Sequence, residues 1–345
     1  MASVDVTVRG AGVFGLSVAW ACARRGARVR VVDPVGVGAG ASGGVTGALA
    51  PHVPEAWNTL KAFQLQSLLM AEGWWKAVQE VGGENPGYAR LGRVQPLADA
   101  AAVEVARGRV AGALAHWQGA AEWAVEPVTG AAWEPESPSG WVVRDSLSAR
   151  LSPRAGLAAL VAAVQARGGE VVVGEAADAG AVVHAGGVAG LAGLSQALGR
   201  KVGSGVKGQA AVLRHDARDC AQVFATGVYL VPHADGTVAV GSTSENTWTV
   251  EGVDAQLEDL IARARVVMPC LQGAEVLERW TGLRPRAVTR QLLLGEWPGR
   301  KGHYVANGGF KIGFGMAPKA AEVMADLVLE GRDTVPEGFR FDADS

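Results

Sequence analysis

Cysteine is scarce in this sequence, and it has neither long apolar runs nor a strong excess of one charge. The three cysteines, Cys22, Cys220 and Cys270, are far apart and form no CxxC pair or Cys/His cluster. Neither a disulfide framework nor a zinc site is therefore predicted. No segment approaches the ~20 consecutive apolar residues that a membrane helix needs. The N-terminus also lacks the charged and apolar regions of a secretory signal, so we expect a cytoplasmic protein.

Charge and length narrow the class further. A formal net charge of −2 gives no basic surface, so no nucleic-acid partner is expected. The chain has 345 residues, whereas single hydrophobic cores stop growing near about 250 to 300 residues. Two lobes are therefore predicted.

The strongest local signal is a glycine fingerprint between a predicted strand (4–8) and a predicted helix (14–25). It reads Gly10-Ala11-Gly12-Val13-Phe14-Gly15, and Asp33 follows the next predicted strand (27–32). In such a βαβ unit the first glycine makes the turn and the second lets the backbone approach a pyrophosphate. The third allows close packing, and the acid binds ribose hydroxyls. Asp33 would repel a 2′-phosphate. The pattern predicts dinucleotide binding and leaves FAD and NAD open.

Three later glycine-rich segments bear on that choice. Residues 40–48 form either a phosphate-binding and ring-binding loop or a flexible surface loop. Residues 182–187 repeat the pattern of a strand that runs into glycines. Residues 308–315 lead into a predicted helix, whose positive end would suit an electron-rich flavin carbonyl.

The remaining periodicity alternates between helices and short strands. Helices are predicted at 59–81, 99–119, 152–168, 254–267 and 317–330. Strands are predicted at 87–97, 170–173, 181–184, 206–213, 227–232, 238–242, 276–283 and 303–306, with 170–173 and 181–184 buried and 185–193 a glycine-rich run.

The order of these segments resembles the D-amino-acid oxidase superfamily of FAD-dependent amine and amino-acid oxidases. The sequence is most similar to the glycine oxidase and sarcosine oxidase members. The motifs that carry the resemblance cover nearly the whole chain: GAGVFG with Asp33, ASGGVTGALAPH (41–52), VVHAGG (182–187), YLVP and DGTVAVGSTSE (229–245), WTGLRPRA (280–287) and GGFKIGFGMAP (308–318).

The resemblance implies an α/β fold with two lobes. A Rossmann-type FAD-binding domain would comprise 1–81, 150–203 and 286–345. A discontinuous mixed-sheet substrate domain would comprise 82–149 and 204–285. The implied cofactor is FAD, with the following contacts: Gly10, Gly12, Val13, Phe14, Gly15, Asp33, Ala41, Ser42, Thr46, Gly47, Ala48, Ala177, Ala185, Gly186, Gly309, Phe310, Lys311, Ile312, Gly313, Phe314 and Gly315.

Four residues are implied at the catalytic end. Arg284 would hold a substrate carboxylate through a bidentate pair, although a surface arginine in an ion pair is the commoner case. Tyr229 would line the same pocket, and His52 would lie near the flavin. Lys311 is similar to the lysine of sarcosine oxidases; it would pair with the flavin or the carboxylate, or would be a solvated loop lysine.

Three departures from the family pattern affect these expectations. Ser244 stands where glycine oxidase carries a pocket methionine. No cysteine follows 283–287, where sarcosine oxidases attach flavin, so FAD is expected to be non-covalent. Segment 174–180 is much shorter than the family's hairpin, which bears on whether Ala177 meets the adenine.

The expected activity is oxidation of the C–N bond of a small amino acid or secondary amine, by hydride transfer to flavin and hydrolysis of the imine. The partners would be that amine and oxygen or another electron acceptor; no metal is predicted, and a homo-oligomer is left open. Rival hypotheses are an FAD-dependent amino-acid dehydrogenase, a tRNA-modifying flavoenzyme, a non-catalytic FAD-binding protein and an NAD-dependent dehydrogenase. The absence of a basic surface disfavours the tRNA hypothesis.

Overall fold

The computed structural model describes residues 3–341. In chain order its strands are β1 (Val6–Arg9), β2 (Val29–Asp33), β3 (Ala48–Leu49), β4 (Arg93–Pro96), β5 (Trp123–Pro127), β6 (Trp141–Asp145), β7 (Ala149–Arg150), β8 (Glu170–Val173), β9 (Ala181–His184), β10 (Gly203–Arg214), β11 (Gln222–Ala225), β12 (Val228–Pro232), β13 (Thr237–Gly241), β14 (Val276–Ala287), β15 (Leu293–Glu296) and β16 (His303–Asn307). The helices are α1 (Val13–Ala23), α2 (Thr59–Gly82), α3 (Ala100–Trp117), α4 (Pro153–Ala166), α5 (Gly187–Leu198), α6 (Ala255–Val267) and α7 (Gly313–Glu330).

A six-stranded sheet joins the two ends of the chain. Its order is β15-β16-β9-β1-β2-β8, with only β15 antiparallel to its neighbour. The central strands are rich in valine, as expected where helices cover both faces of a parallel sheet. Because β1, β2 and β9 run in the same direction, their carboxyl ends meet at one edge, which is where such sheets bind ligands.

Four helices enclose the largest hydrophobic cluster beside this sheet. Helices α1, α2, α4 and α7 contact one another, and the cluster contains Trp20, Trp75 and Met324. Helix α2 begins where the side chain of Asn58 accepts a hydrogen bond from the Lys61 N–H, and it ends at Gly83 in the left-handed conformation. Both residue types are favoured at those positions.

The second sheet has eight strands in the order β14-β10-β13-β12-β11-β4-β6-β5. Strands β10 and β14 pair antiparallel over their length, and Val206 lies opposite Arg284. Helix α6 packs against β10, β12 and β13 and closes a second cluster that includes Val240 and Leu260. The predicted α/β class with a mixed second sheet is confirmed, while the predicted domain boundaries stay a prediction.

Several predicted elements were wrong. Residues 187–198 form α5, which the glycine content of 185–193 concealed. Helix α7 begins at Gly313, before the predicted 317, so the last glycine turn is partly helical. Strand β8 is not buried: it is the sheet's edge, and Val173 is 63% exposed. Strand β11 was not predicted.

Candidate active site

A cavity of 1350 Å³ opens at the edge where β1, β2 and β9 end and extends to β14 and α7. It exceeds the roughly 300–1,000 Å³ of ordinary small-molecule pockets. Its lining includes every predicted site residue except Gly15 and Ala177. The predicted cofactor segments and the predicted catalytic residues therefore share one space.

The start of α1 leaves an anion site at the glycine fingerprint. Gly10 has φ +119°, a conformation that favours glycine. The side-chain oxygen of Ser42 accepts a hydrogen bond from the Val13 N–H at 3.0 Å. The N-cap residue Gly12 has no side chain to cap helix α1, and the first turn has no acidic residue, so apart from the Ser42 contact the positive end of α1 is free to receive a phosphate.

Asp33 lies at the end of β2 beside this turn. One carboxylate oxygen accepts a hydrogen bond from the Ala11 N–H at 2.8 Å, and the other accepts from Val35 and Gly36 at 3.0 Å. A carboxylate has about four lone-pair sites, which leaves capacity for a ribose hydroxyl. Asp33 thus also ties the fingerprint turn to its own strand.

Gly15 and Phe14 act through packing. A Cβ atom added to Gly15 would lie 1.9 Å from the carbonyl oxygen of Gly10, so the close packing predicted for this glycine is present although Gly15 does not line the cavity. A Cβ atom added to Gly309 would lie 2.2 Å from the Phe14 ring. Phe14 therefore packs directly on the last glycine turn and joins the two ends of the chain.

The small-residue loop 40–48 bridges the two sheets. Ala41–Gly43 form one turn of 3-10 helix, and Gly47 has φ +67° and lies against the Leu151 carbonyl. A Cβ atom added to Gly241 would lie 2.2 Å from the Thr46 hydroxyl oxygen. The loop is packed on both sides, so the alternative of a flexible surface loop is not what the structure shows.

Ala177 does not line the cavity, contrary to its predicted contact with adenine. Gly174 and Glu175 of the same segment line it instead. Arg9, which itself lines the cavity, holds the next residues of the segment: its side chain donates to the Ala176 carbonyl at 2.8 Å and to Asp178 at 2.7 Å. Only the seven residues 174–180 connect β8 and β9, and only the first two of them line the cavity.

Arg284 is buried in β14, with 8% of its surface exposed. Its Nη1 donates to the Thr243 carbonyl oxygen at 3.0 Å, and it forms no ion pair within residues 3–341. Burial lowers its pKa to about 10, although the nearby Glu245 carboxylate raises it. The guanidinium lies over Gly208, where a Cβ atom would be 1.9 Å from Nη2, so glycine is required there.

A buried ionic network stands behind Arg284, and it was not predicted. Lys207 is fully buried on β10 and lies 3.2 Å from Glu245 and 2.7 Å from Asp254. Burial acts to lower the Lys207 pKa, but these carboxylates outweigh it and raise the pKa. Gln209 donates to both acids, at 3.0 and 2.8 Å. The polar residues at alternate positions of the otherwise apolar strand, Lys207 and Gln209, were the available signal.

Tyr229 lies on β12, and a hydrogen bond from a buried arginine holds its hydroxyl group. Its hydroxyl oxygen accepts a hydrogen bond from Arg93 at 3.3 Å, and Arg93 pairs with Asp145 at 2.8 Å in a buried bridge. The Phe224 ring lies 4.4 Å from the Tyr229 ring and lines the same cavity. Neither Arg93 nor Phe224 was singled out in the sequence.

Lys311 follows Phe310, which has φ +42°. The ammonium lies 5.6 Å from the centre of the Phe310 ring. Partial burial and the positive charge of Arg284 lower the pKa of Lys311. Lys311 also lines a second cavity of 720 Å³, which shares Gly227 and Ser242 with the first. The structure thus places Lys311 near Arg284, where two cavities adjoin.

His52 lines the cavity beside β3. Its Nδ1 and its backbone N–H both contact Gln64 Oε1, at 2.6 and 2.8 Å. Gln64 in turn donates to the Ala50 carbonyl at 3.1 Å. These contacts fix the orientation of the imidazole ring. Such an arrangement occurs for structural histidines as well as for reactive ones.

The opposite wall of the cavity is the start of α7. Gly313, the first residue of the helix, lines the cavity. The helix has no side-chain cap and no acidic residue in its first turn, so its own first turn does not neutralise the positive end there. Further lining residues missed by the sequence analysis are Trp280, Thr281, Arg290 and Gln291. No group of three or more potential metal ligands was found within residues 3–341, and no helix of that region is long and apolar enough to span a membrane.

Comparison with known proteins finds matches over most of the chain. The family model described as FAD dependent oxidoreductase (DAO) matches residues 5–327. Glycine oxidase from Geobacillus kaustophilus is 28% identical over an alignment of 358 positions, gaps included, which covers 94% of this chain and 92% of the relative. Glycine oxidase from Pseudomonas putida is 33% identical over 123 residues, and that match spans about a third of each chain, 34%. The crystal structure of the Geobacillus kaustophilus glycine oxidase has a TM-score of 0.82 at 24% identity, covers 96% of this chain and 95% of its own, and thus shares the fold.

Proposed function

Since the chain belongs to the DAO family of FAD-dependent oxidoreductases, FAD is its cofactor, and we propose that it oxidises the C–N bond of a small amino acid or secondary amine. The observation that carries the proposal is Arg284. Its buried guanidinium has no ion-pair partner within the described residues and lines the same cavity as the glycine fingerprint. A buried, unpaired cation is costly unless a ligand supplies the anion.

The lining of the cavity fits FAD. The free N-terminus of α1, with Gly10, Gly12 and Ser42, would hold the pyrophosphate, and Asp33 would accept from the ribose. The start of α7 would face the electron-rich edge of the isoalloxazine. Because no described cysteine lines the cavity, we propose that FAD binds without a covalent link.

Arg284 and Tyr229 would bind the substrate on the side of β12 and β14. The planar guanidinium matches a carboxylate by two parallel hydrogen bonds, an arrangement that lysine does not offer. Thr243 and the register between β10 and β14 fix the position of the guanidinium before substrate arrives. Binding energy at the carboxylate would thereby orient the α-carbon.

The positive charges of this region would also set the protonation state of the amine. Where the substrate carboxylates leave part of this charge uncompensated, Arg284 and Lys311 would disfavour a further cation nearby and lower the pKa of a bound ammonium group. A neutral amine is the form that can be oxidised. FAD, when bound, would accept a hydride from the carbon beside that amine, and water would then hydrolyse the released imine.

One screen tests the activity. The purified protein is mixed without air with glycine, sarcosine, D-amino acids and cyclic imino acids while flavin absorbance is followed, and peroxide is assayed in air. Bleaching of the flavin without air and peroxide formation in air are the expected results. Bleaching without peroxide would indicate that the electrons pass to an acceptor other than oxygen. A yellow protein that none of these amines bleaches would contradict the proposed activity. A cytoplasmic location and the oligomeric state remain predictions.

A further inference from the structure

The charged residues that line the large cavity are unevenly distributed along its length. At the carboxyl ends of β1, β2 and β8, where the ribose and adenine are expected, lie the acids Asp33 and Glu175 together with Arg9, which is paired with Asp178. At the other end lie two cations near each other, Arg284 and Lys311, and a third cation, Arg290, also lines the cavity. The substrate end of the cavity therefore carries positive charge that no described acid in the lining offsets.

Glu245, the acid whose charge acts on Arg284, does not offset the positive charge that faces the cavity. Glu245 lies behind Arg284 and is already bound by Lys207, Gln209 and Thr243. Its side chain is only 5% exposed, and it is absent from the lining. Glu245 therefore compensates the buried Lys207, and the cations that face the cavity remain available to a ligand.

Arg284 and Lys311 reach the substrate from different directions. Arg284 projects from the middle of β14 and is held by the Thr243 carbonyl. Lys311 projects from the turn before α7, forms no hydrogen bond or ion pair with any residue of 3–341, and stands where the second cavity joins the first. That second cavity is lined by the polar residues Ser242, Thr243, Ser244 and Gln256 and by one acid and one base, Asp259 and Arg263, so its lining suits a polar or charged group and Lys311 gives it an excess of positive charge.

We infer that the substrate is an amino dicarboxylate, with one carboxylate on Arg284 and the second on Lys311 at the junction of the two cavities. The inference rests on the proposed function and specifies its substrate class. A dianion would neutralise both cations at once, whereas glycine or sarcosine would leave one of them unpaired. Burial and, after it, the positive charge of Arg284 lower the pKa of Lys311, which is consistent with two like charges in one partly enclosed space.

Ligands that cannot be oxidised test this inference separately from the activity. Thiodiacetate and (methylthio)acetate differ by one carboxylate and lack an amine, and their dissociation constants can be measured from changes in the flavin absorbance spectrum. We expect thiodiacetate to bind the FAD-loaded protein about ten- to a hundredfold more tightly, as one hydrogen bond to a charged group would give. Equal binding of the two ligands would overturn the inference.

Substitution of Lys311 identifies the second anchor. In Lys311→Met the preference for thiodiacetate should fall below about threefold, while Lys311→Arg should retain it. The control Lys201→Met removes an exposed lysine outside both cavities and should leave the preference unchanged. If Lys311→Met weakens both ligands equally, the two cations hold a single carboxylate and the inference is wrong. If Lys311→Met fails to bind FAD, the two ligands are tested instead on Lys311→Gln that has been reloaded with excess FAD. An unaltered preference for thiodiacetate in that variant would contradict the inference.

Turnover adds an independent comparison. Iminodiacetate carries its second carboxylate on the amine nitrogen, and D- and L-aspartate carry it on the side chain. At least one of these should show a kcat/KM about tenfold or more above sarcosine and glycine, as for the binding pair. If monocarboxylates are oxidised and all three dicarboxylates are slower, this inference fails while the proposed function stands. If no amine is oxidised, the proposed function fails and thiodiacetate binding still decides whether two carboxylates are bound.

Discussion

Arg284 is expected to lower the free energy of unfolding of the protein while it increases the affinity for substrate. The substitution Arg284→Met separates these two effects. Burial lowers its pKa from 12.5 to about 10, and a difference of that size corresponds to about 3 kcal/mol of unfavourable desolvation at neutral pH. Methionine fills similar space without the charge, and Lys207 still compensates Glu245. We therefore expect the free energy of unfolding to rise by about 1–3 kcal/mol, as when buried charges are replaced by apolar residues.

The same substitution should weaken substrate binding. Two hydrogen bonds from Arg284 to a carboxylate, at about 1.5 kcal/mol each, correspond to roughly a hundredfold in the dissociation constant. Stability is measured by denaturant unfolding with saturating FAD, and substrate affinity by titration of flavin absorbance. Arg279→Met is the matched control, because Arg279 lies on the same strand but is exposed and paired with Glu258. Unchanged substrate affinity, or a stability loss larger than that of the control, would refute the reasoning.

Three further predictions concern the cofactor site, pH and the buried network. Gly12→Ala should leave the melting temperature nearly unchanged but weaken FAD binding by more than about tenfold, because its Cβ enters the expected pyrophosphate space with only Ser42 at 3.2 Å. His184 has its pKa lowered to about 4 by burial and by neighbouring His303; the unfolded chain therefore binds this proton first, and the melting temperature should fall as pH decreases from about 6.5 to 4. Lys207→Met should lower the free energy of unfolding by about 3–5 kcal/mol, since Glu245 would stay buried without its cation.

Each of these has a control within the chain. Gly73→Ala lies in helix α2 with nothing near its Cβ, so it should leave FAD affinity unchanged and raise the melting temperature slightly, because alanine is the better helix former. His184→Gln should flatten the pH dependence of the melting temperature; an unchanged slope would show that other groups cause it. If the double variant Lys207→Met/Glu245→Gln is no more stable than Lys207→Met, the charge argument for this pair is wrong.

The sequence by itself determined the cofactor class and the fold. Gly10, Gly12, Gly15 and Asp33 could be interpreted without a structure because their roles depend on backbone conformation within one βαβ unit. The family, the α/β class and FAD are confirmed, while the roles assigned to Arg284, Tyr229, Lys311 and His52 stay predictions. Glycine content failed as a guide at 187–198, where helix α5 packs on β10 and β14 in spite of it.

Only the tertiary structure decided what surrounds the reactive end of the cavity. The pairing of β10 with β14 sets Val206 opposite Arg284 and lays the Arg284 guanidinium over Gly208, although these residues are far apart in sequence. The approach of residues 308–315 brings Lys311 to the same place from the other end of the chain. Sequence spacing carries no information on such contacts, because strand register and helix packing are set by the burial of many apolar residues at once. The glycine fingerprint could therefore be recognised locally as a dinucleotide site, whereas the charges proposed to select the substrate are brought together only by the fold.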